Sequence, residues 1–331
     1  MSVDRRLLNW GVFLVLLGGI PLAVAQGWIS RDVVTRAWEL WPLILIGAGI
    51  GLILGATPLR AIGGVIVAGT LGTMLGALLA VGFGGLSLGG LGCGGGAGTA
   101  PQVLQESGSF DGGTGAVLLT ANCASLEVAT GAGSAWSIDV LGTADTRPTV
   151  ERSGDHVEVR SPSSNVVFPL GTQRASWRAE LGTDARYETL LVTLNAGDAS
   201  LDLAGATVSD LTFDGNAVGD TRLDLSSAAV AQLDVTVNAG DVAILLPAGA
   251  NLQGTVQGNA ASVDLCAAAG VGLRLLVEDN ITASNNYDEK GLVRTGNAWE
   301  TAGYADAATR VELRTTGSAV SYTLNPEEGC R

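Results

Sequence analysis

Two short stretches carry side chains suited to chemistry at a repeated spacing. Asn195-Ala-Gly-Asp198 returns further along as Asn238-Ala-Gly-Asp241. Asn216-Ala and Asn259-Ala belong to the same series, so that the asparagines follow one another at spacings of 21, 22 and 21 residues. Asp198, Asp220, Asp241 and Asp264 fall in the same part of each repeat. Carboxylates after glycine-containing turns are how oxygen ligands are offered to calcium. Calcium-binding nonapeptide turns, however, recur every nine residues with two or three glycines each, and this frame has neither. The alternative is a structural corner. Asn and Gly tolerate positive φ, and an Asn amide hydrogen-bonds readily within a tight turn. Stacked one repeat apart, Asn195, Asn216, Asn238 and Asn259 would bond to one another as a ladder, with Asp198 and Asp241 beside them.

Other candidates are weaker. His156, the single histidine, lies in "GDHVEV" between Asp155 and Glu158, with no nucleophile motif to make it a general base. Asp288-Glu289 and Glu327-Glu328 are adjacent carboxylates, which a strand would point to opposite faces, so neither forms an acid/base pair. Trp136, Trp177 and Trp299 suit either a sugar-binding face or core packing. Cys93, Cys123, Cys266 and Cys330 show no CxxC spacing, which argues against structural zinc. Cys123 and Cys266 are a possible disulfide if the domain lies outside the cytoplasm; apolar-packed thiols are the alternative. The residues therefore imply no cofactor, no metal and no enzyme.

The elements that must position the repeated corners are strands. From about residue 110 the hydrophobic period is two, as in "SLEVAT", "HVEVRS", "SLDL", "RLDL" and "SVDL", the pattern of half-buried strands. Leu190, Val192 and Leu194 precede the first corner, and Leu201 and Leu203 follow it. Leu233, Val235 and Val237 precede the corner at Asn238, and Ile244 and Leu246 follow it. Two short strands per repeat of about 21 residues predict a β-solenoid. A lone rung would not hold. Ordering each residue costs about 1–2 kcal/mol, against about 1.5–3 kcal/mol per buried aliphatic side chain, so neighbouring rungs must stack.

Composition separates a second region. The mean hydropathy is +0.35 with 15% charged residues, too apolar for an ordinary soluble chain. Residues 1–99 hold three of the 32 acidic and five of the 18 basic residues, which leaves 29 acidic and 13 basic beyond them, a net of −16. Such a surface repels nucleic acid, and nucleic-acid binding is excluded. The apolar runs 7–25, 40–56 and 61–85 approach the ~20 residues of a membrane span. They predict an α-helical transmembrane bundle of about three spans over 1–85, with the lipid bilayer as partner. Gly47, Gly51 and Gly55 repeat every four residues, as do Gly72 and Gly76, spacing that lets helices pack closely. Residues 86–108 read as a Gly-rich linker, 109–325 as the all-β domain, and 326–331 as a tail. Arg5, Arg6 and Arg60 against Arg31 and Arg36 give a small positive-inside bias. It implies a multi-pass protein of the bacterial cell membrane with its C-terminal domain extracytoplasmic. A fourth partial span over 78–92 would reverse that sidedness. A cleaved signal peptide at Ala23-Val24-Ala25 would preserve it.

"RRLLNWGVFLVLLGGIPLAVAQGWI" followed by "ELWPLILIGAGIGLIL" resembles the transmembrane region of LiaI- and LiaF-type bacterial proteins. In that region a Trp-Gly opens one helix and a Trp-Pro the next. Gly240-Asp241, Leu246-Pro247, Gly249 and Gly254 are similar to the toast-rack-like β domains that follow such regions. The resemblance implies a cell-envelope stress-response regulator working by protein–protein contact, with a sensor histidine kinase as partner and possible homo-oligomers. The rival reading is an extracellular adhesin or structural solenoid that binds cell-wall material.

Overall fold

The computed structural model describes residues 5–25, 41–53, 61–81, 102–110, 113–142, 147–162, 174–278, 283–327 and 329–330. The chain divides into two compact units, 1–88 and 89–331.

The first unit contains α1 (Arg5–Ala25), α2 (Trp41–Ile53) and α3 (Ala61–Val81). Among the described residues no helix is long and apolar enough to cross a membrane. This corrects the expected three-span transmembrane bundle and the multi-pass membrane location drawn from it. For α2 the reason is length. With 13 residues, α2 spans about 20 Å at ~1.5 Å per residue, against ~30 Å of hydrocarbon.

The second unit is β-rich. Its strands are β1 (Gln102–Ser109), β2 (Thr114–Ala121), β3 (Ala124–Gly131), β4 (Ala135–Gly142), β5 (Thr149–Ser153), β6 (His156–Arg160) and β7 (Ala175–Gly182). The long strands β8 (Arg186–Asp202), β9 (Thr207–Asp224), β10 (Ala229–Leu245) and β11 (Leu252–Cys266) follow. The last are β12 (Gly272–Val277), β13 (Ser284–Asn285), β14 (Val293–Thr295), β15 (Ala298–Glu300), β16 (Arg310–Gly317) and β17 (Ser321–Leu324).

Each of β8 to β11 is one rung with two legs joined at a corner. Neighbours pair in parallel and in register: Leu190 with Leu211, Leu211 with Leu233, and Val235 with Val256. The second legs do the same, Leu201 with Leu223, Leu223 with Ile244 and Ile244 with Leu265. Inward positions of both legs are buried in one continuous hydrophobic core. That burial makes the register costly to change, because a slip of one residue would turn every inward leucine outward.

The stacking order departs from the chain order at both ends. The rung made by β2 and β3 pairs with β8 on one side and with β6 and β7 on the other. The rung made by β16 and β17 pairs with β11 on one side and with β12 and β13 on the other. The outermost strands are antiparallel additions: β5 on β6, β1 on β4 and β4 on β7 at one end, β15 on β12 and β14 on β15 at the other. The first and last full rungs in the chain thus lie inside the stack, and short strands close its ends. Such closure is a usual protection of sheet edges against further pairing.

Candidate functional site

The repeated corner is the most regular feature of the β unit. Asn195 Nδ2 donates to Asn122 Oδ1 at 2.7 Å, Asn216 Nδ2 to Asn195 Oδ1 at 2.6 Å, Asn238 Nδ2 to Asn216 Oδ1 at 2.7 Å, and Asn259 Nδ2 to Asn238 Oδ1 at 2.7 Å. Each inner amide donates down the stack and accepts from above. The corner backbone passes through Gly197 at φ 130° and Gly240 at φ 133°. A Cβ on Gly197 would strike the Ala124 carbonyl of the preceding rung, and one on Gly240 the Val218 carbonyl. Glycine is required there by conformation and by contact at once. The corner of β9 carries one extra residue, seen where its register with β8 and β10 shifts. That residue accounts for the single spacing of 22 in the asparagine series.

Asn122 is the ladder member that sequence reading missed. "TANCASLEV" aligns without a gap on "TLNAGDASL", with Ala124 opposite Gly197 and Ser125 opposite Asp198, and the replacement of Gly-Asp by Ala-Ser hides the match.

The carboxylates sit beside the ladder on the outer surface. Asp241 pairs in register with Asp220, and with Ser262 on the next strand. Asp264 lies opposite Ala243 instead, so the four aspartates do not form a single aligned row. Asp198 is salt-bridged to Arg174. Burial, then repulsion from Asp220 and Asp264, pushes the Asp241 carboxyl above its ordinary range. Asp214 on the other leg is raised by burial and by Asp234. Asp224 goes the other way: burial raises it, but hydrogen bonds from the Ser226 hydroxyl and N–H, and Arg222 beside it, hold it below the usual value. Among the described residues no three His, Cys, Asp or Glu side chains are grouped to hold a metal ion.

His156 lines an open hollow of about 290 Å³ with Thr114, Ser153, Asp155 and Glu188. Glu188 is the extra residue of a bulge, since Tyr187 pairs with Gly115 and Thr189 with Ala116. The carboxylates of Asp155 and Glu188 are solvent-exposed, so the hollow lacks the dry surroundings that tune a catalytic group. Trp136 and Trp177 are buried, which removes them from any ligand-binding face. Arg152 stacks 4.5 Å over the Trp136 ring.

The cysteine pairing needs correction. Cys266 is bonded to Cys330, with Cα atoms 6.1 Å apart, and Cys123 is disulfide-bonded elsewhere. The possible Cys123–Cys266 bridge is therefore excluded: Cys123 lies in the rung before β8 and Cys266 at the end of β11, with three whole rungs between them.

In the helical unit, Gly47 and Gly51 meet Gly63. A Cβ on Gly63 would lie 2.6 Å from the Gly47 carbonyl and 2.5 Å from the Gly51 nitrogen. A Cβ on Gly72 would lie 2.7 Å from the Phe13 carbonyl. Gly76 belongs to α3 without a described environment, and Gly55 falls outside the described residues. A hollow of about 490 Å³ beside these contacts is walled by Trp10, Phe13, Val67, Leu71 and the glycines and offers no charged group.

Residues 115–245, from β2 through β10, match the N-terminal domain of toast_rack, DUF2154, and such a domain is present there. The match includes none of residues 5–60, so the likeness to LiaI and LiaF proteins stays a resemblance. No curated protein matches the chain. Solved structures with a similar course include a candidate cell adhesion protein from Clostridium sporogenes, at 14% identity over 68% of this chain and 99% of that one with a TM-score of 0.45. A candidate adhesin from Bacteroides fragilis shows 8% identity over 67% and 97%, with a TM-score of 0.30. A third, from Parabacteroides distasonis, shows 12% identity over 67% and 97%, with a TM-score of 0.25.

Proposed function

We propose that this is a non-catalytic binding protein whose β unit acts as an adhesive scaffold for cell-wall material. One observation carries the reading. The outward side chains of the first legs form in-register rows, Thr120, Thr193, Asp214, Thr236, Gln257 and Thr316 in one, and Ala116, Thr189, Asp210, Gln232, Gln253 and Glu312 in another. Hydroxyls, amides and carboxylates thus repeat at the ~4.8 Å strand spacing on a surface fixed by its core. Such a face suits an extended polar polymer better than a small substrate. The groups that could do catalysis are dispersed or open to solvent.

A regulator acting through a sensor kinase is the second reading. Its support was the resemblance of residues 5–60 to a transmembrane region, and the correction to the helical unit removes that ground. The test is co-sedimentation of the full chain with purified peptidoglycan sacculi. The adhesive reading expects the protein in the pellet, and expects Thr193→Arg with Thr236→Arg to return it to the supernatant. Wild-type protein that stays soluble at every sacculus concentration would sink this reading.

A further inference from the structure

The repeating polar rows of the β unit differ in how their hydrogen bonds are met. The corner asparagines satisfy one another from rung to rung. The outward side chains of the first legs do not. Thr193, Asp214, Thr236 and Gln257 stand in register on β8, β9, β10 and β11, and Thr120 of β2 continues the row. Among the described residues, none of these five side chains is hydrogen-bonded or salt-bridged within the protein. Both ends of the row meet groups that are already engaged. Arg160, opposite Thr120, is salt-bridged to Glu158. Thr316, opposite Gln257, donates to Glu278 at 3.2 Å. Four strand spacings of ~4.8 Å make the open track about 19 Å long. The neighbouring outward row holds Leu118, Leu191, Thr212, Asp234 and Thr255.

Spacing and charge select among extended polymers. A peptide advances at most ~3.3–3.6 Å per residue, out of step with the rungs. A polyanionic chain would meet Asp210, Asp214 and Asp234, and the first legs of β9, β10 and β11 contain no Lys or Arg to receive it, so the face repels it. A β1,4-linked chain of pyranoses is straight and uncharged, and it advances by roughly one strand spacing per sugar. Its hydroxyls donate and accept, as Thr and Gln do, and Asp214 accepts. Leu118 and Leu191 offer the apolar face of a ring a surface to lie on.

Building on the adhesive reading above, we propose that the first-leg face binds a β1,4-linked glycan lying across the strands, with one sugar on each of the five rungs from β2 to β11. Thr120 and Gln257 hold the end sugars, and Asp214 accepts from a hydroxyl of the central one.

Calorimetric titration of the full chain with β1,4-linked N-acetylglucosamine oligomers of two to six sugars tests this. Kd should fall at least about tenfold from the dimer to the pentamer and level off at the hexamer, as linked subsites fill. Thr236→Arg interrupts the row after Asp214, and should make the pentamer bind no better than the trimer. Ser200→Arg, on the exposed side of the second leg of β8, should leave the series unchanged. Equal affinity for dimer and pentamer would overturn the assignment, as would α1,4-linked glucose oligomers that bind as tightly. If sacculi pellet the protein while the oligomer series stays flat, the adhesive reading stands and this ligand does not. If neither binds, both fall.

Discussion

A single amide in the ladder is worth what its two neighbours make of it. Asn216 and Asn238 each donate once and accept once, whereas Asn259 is seen only to donate. Replacing Asn238 by Ala removes two hydrogen bonds at a solvent-accessible corner, and a loss of about 1–2 kcal/mol is expected. Asn259→Ala should cost about half as much, and urea midpoints would show whether the difference exists. Gly240→Ala is the harsher change, because the new methyl meets the Val218 carbonyl and φ is 133°. Strain and overpacking together predict about 3 kcal/mol. Acid acts through carboxylates on both legs. Folded Asp241 and Asp214 keep their protons at pH values where the unfolded chain has released them. Stability therefore falls as pH rises from the ordinary Asp value of 3.8 through their raised values, and the loss persists above them. Asp224, held low by Ser226 and Arg222, contributes stability above 3.8 that disappears as pH falls through its depressed value. Asp241→Asn should then be more stable than the parent at neutral pH, with a flatter profile between 3.8 and neutrality; a steeper profile would refute the assignment.

At the scale of elements, the strands of the repeats could be read from sequence because most inward positions are aliphatic, Tyr187 and Phe213 being aromatic exceptions. Leu190, Leu211 and Leu233 announce both the period and the register, and the Asn-Ala pairs mark the corners. What could not be read is the order of stacking. Nothing local in "VELRTT" or "SYTL" says that β16 and β17 enter between β11 and the strands that precede them in the chain. That choice is decided by long-range pairing, which costs loop closure before any contact forms. The Cys266–Cys330 bond was hidden likewise, since alternation places Cys266 but does not say what crosses above it. The helical unit misleads for a different reason. Apolar composition suggested spans, but composition does not say where a helix stops, and α2 ends after 13 residues, short of a bilayer's hydrocarbon thickness. The interleaved order makes a sharp prediction. Ending the chain after residue 308 removes an interior rung, unlike the loss of the last rung of a sequential solenoid. The truncated chain should aggregate and lose the β signature in circular dichroism; a folded, monomeric product would show that β12 and β13 can dock directly on β11.

Over the whole molecule, one disulfide closes a loop of 64 residues that contains β12 through β17. Chain entropy alone assigns about 4 kcal/mol to such a closure, so Cys330→Ser should lower the unfolding free energy by up to that amount, seen as a lower urea midpoint with a steeper slope because the unfolded chain is less constrained. The acidic surplus of the β unit, net −16 beyond residue 99, adds self-repulsion that salt screens, and raising ionic strength should recover part of the loss. The interleaved ends matter most under load. In a stack whose first and last rungs are also its outermost, tension on the chain peels one ladder at a time, and each step is easy. Here the strands nearest the ends of the repeat series, β2 with β3 and β16 with β17, are flanked on both sides. Pulling either one out must break two ladders at once, so the stack resists tension much as a drawer jammed between two others does.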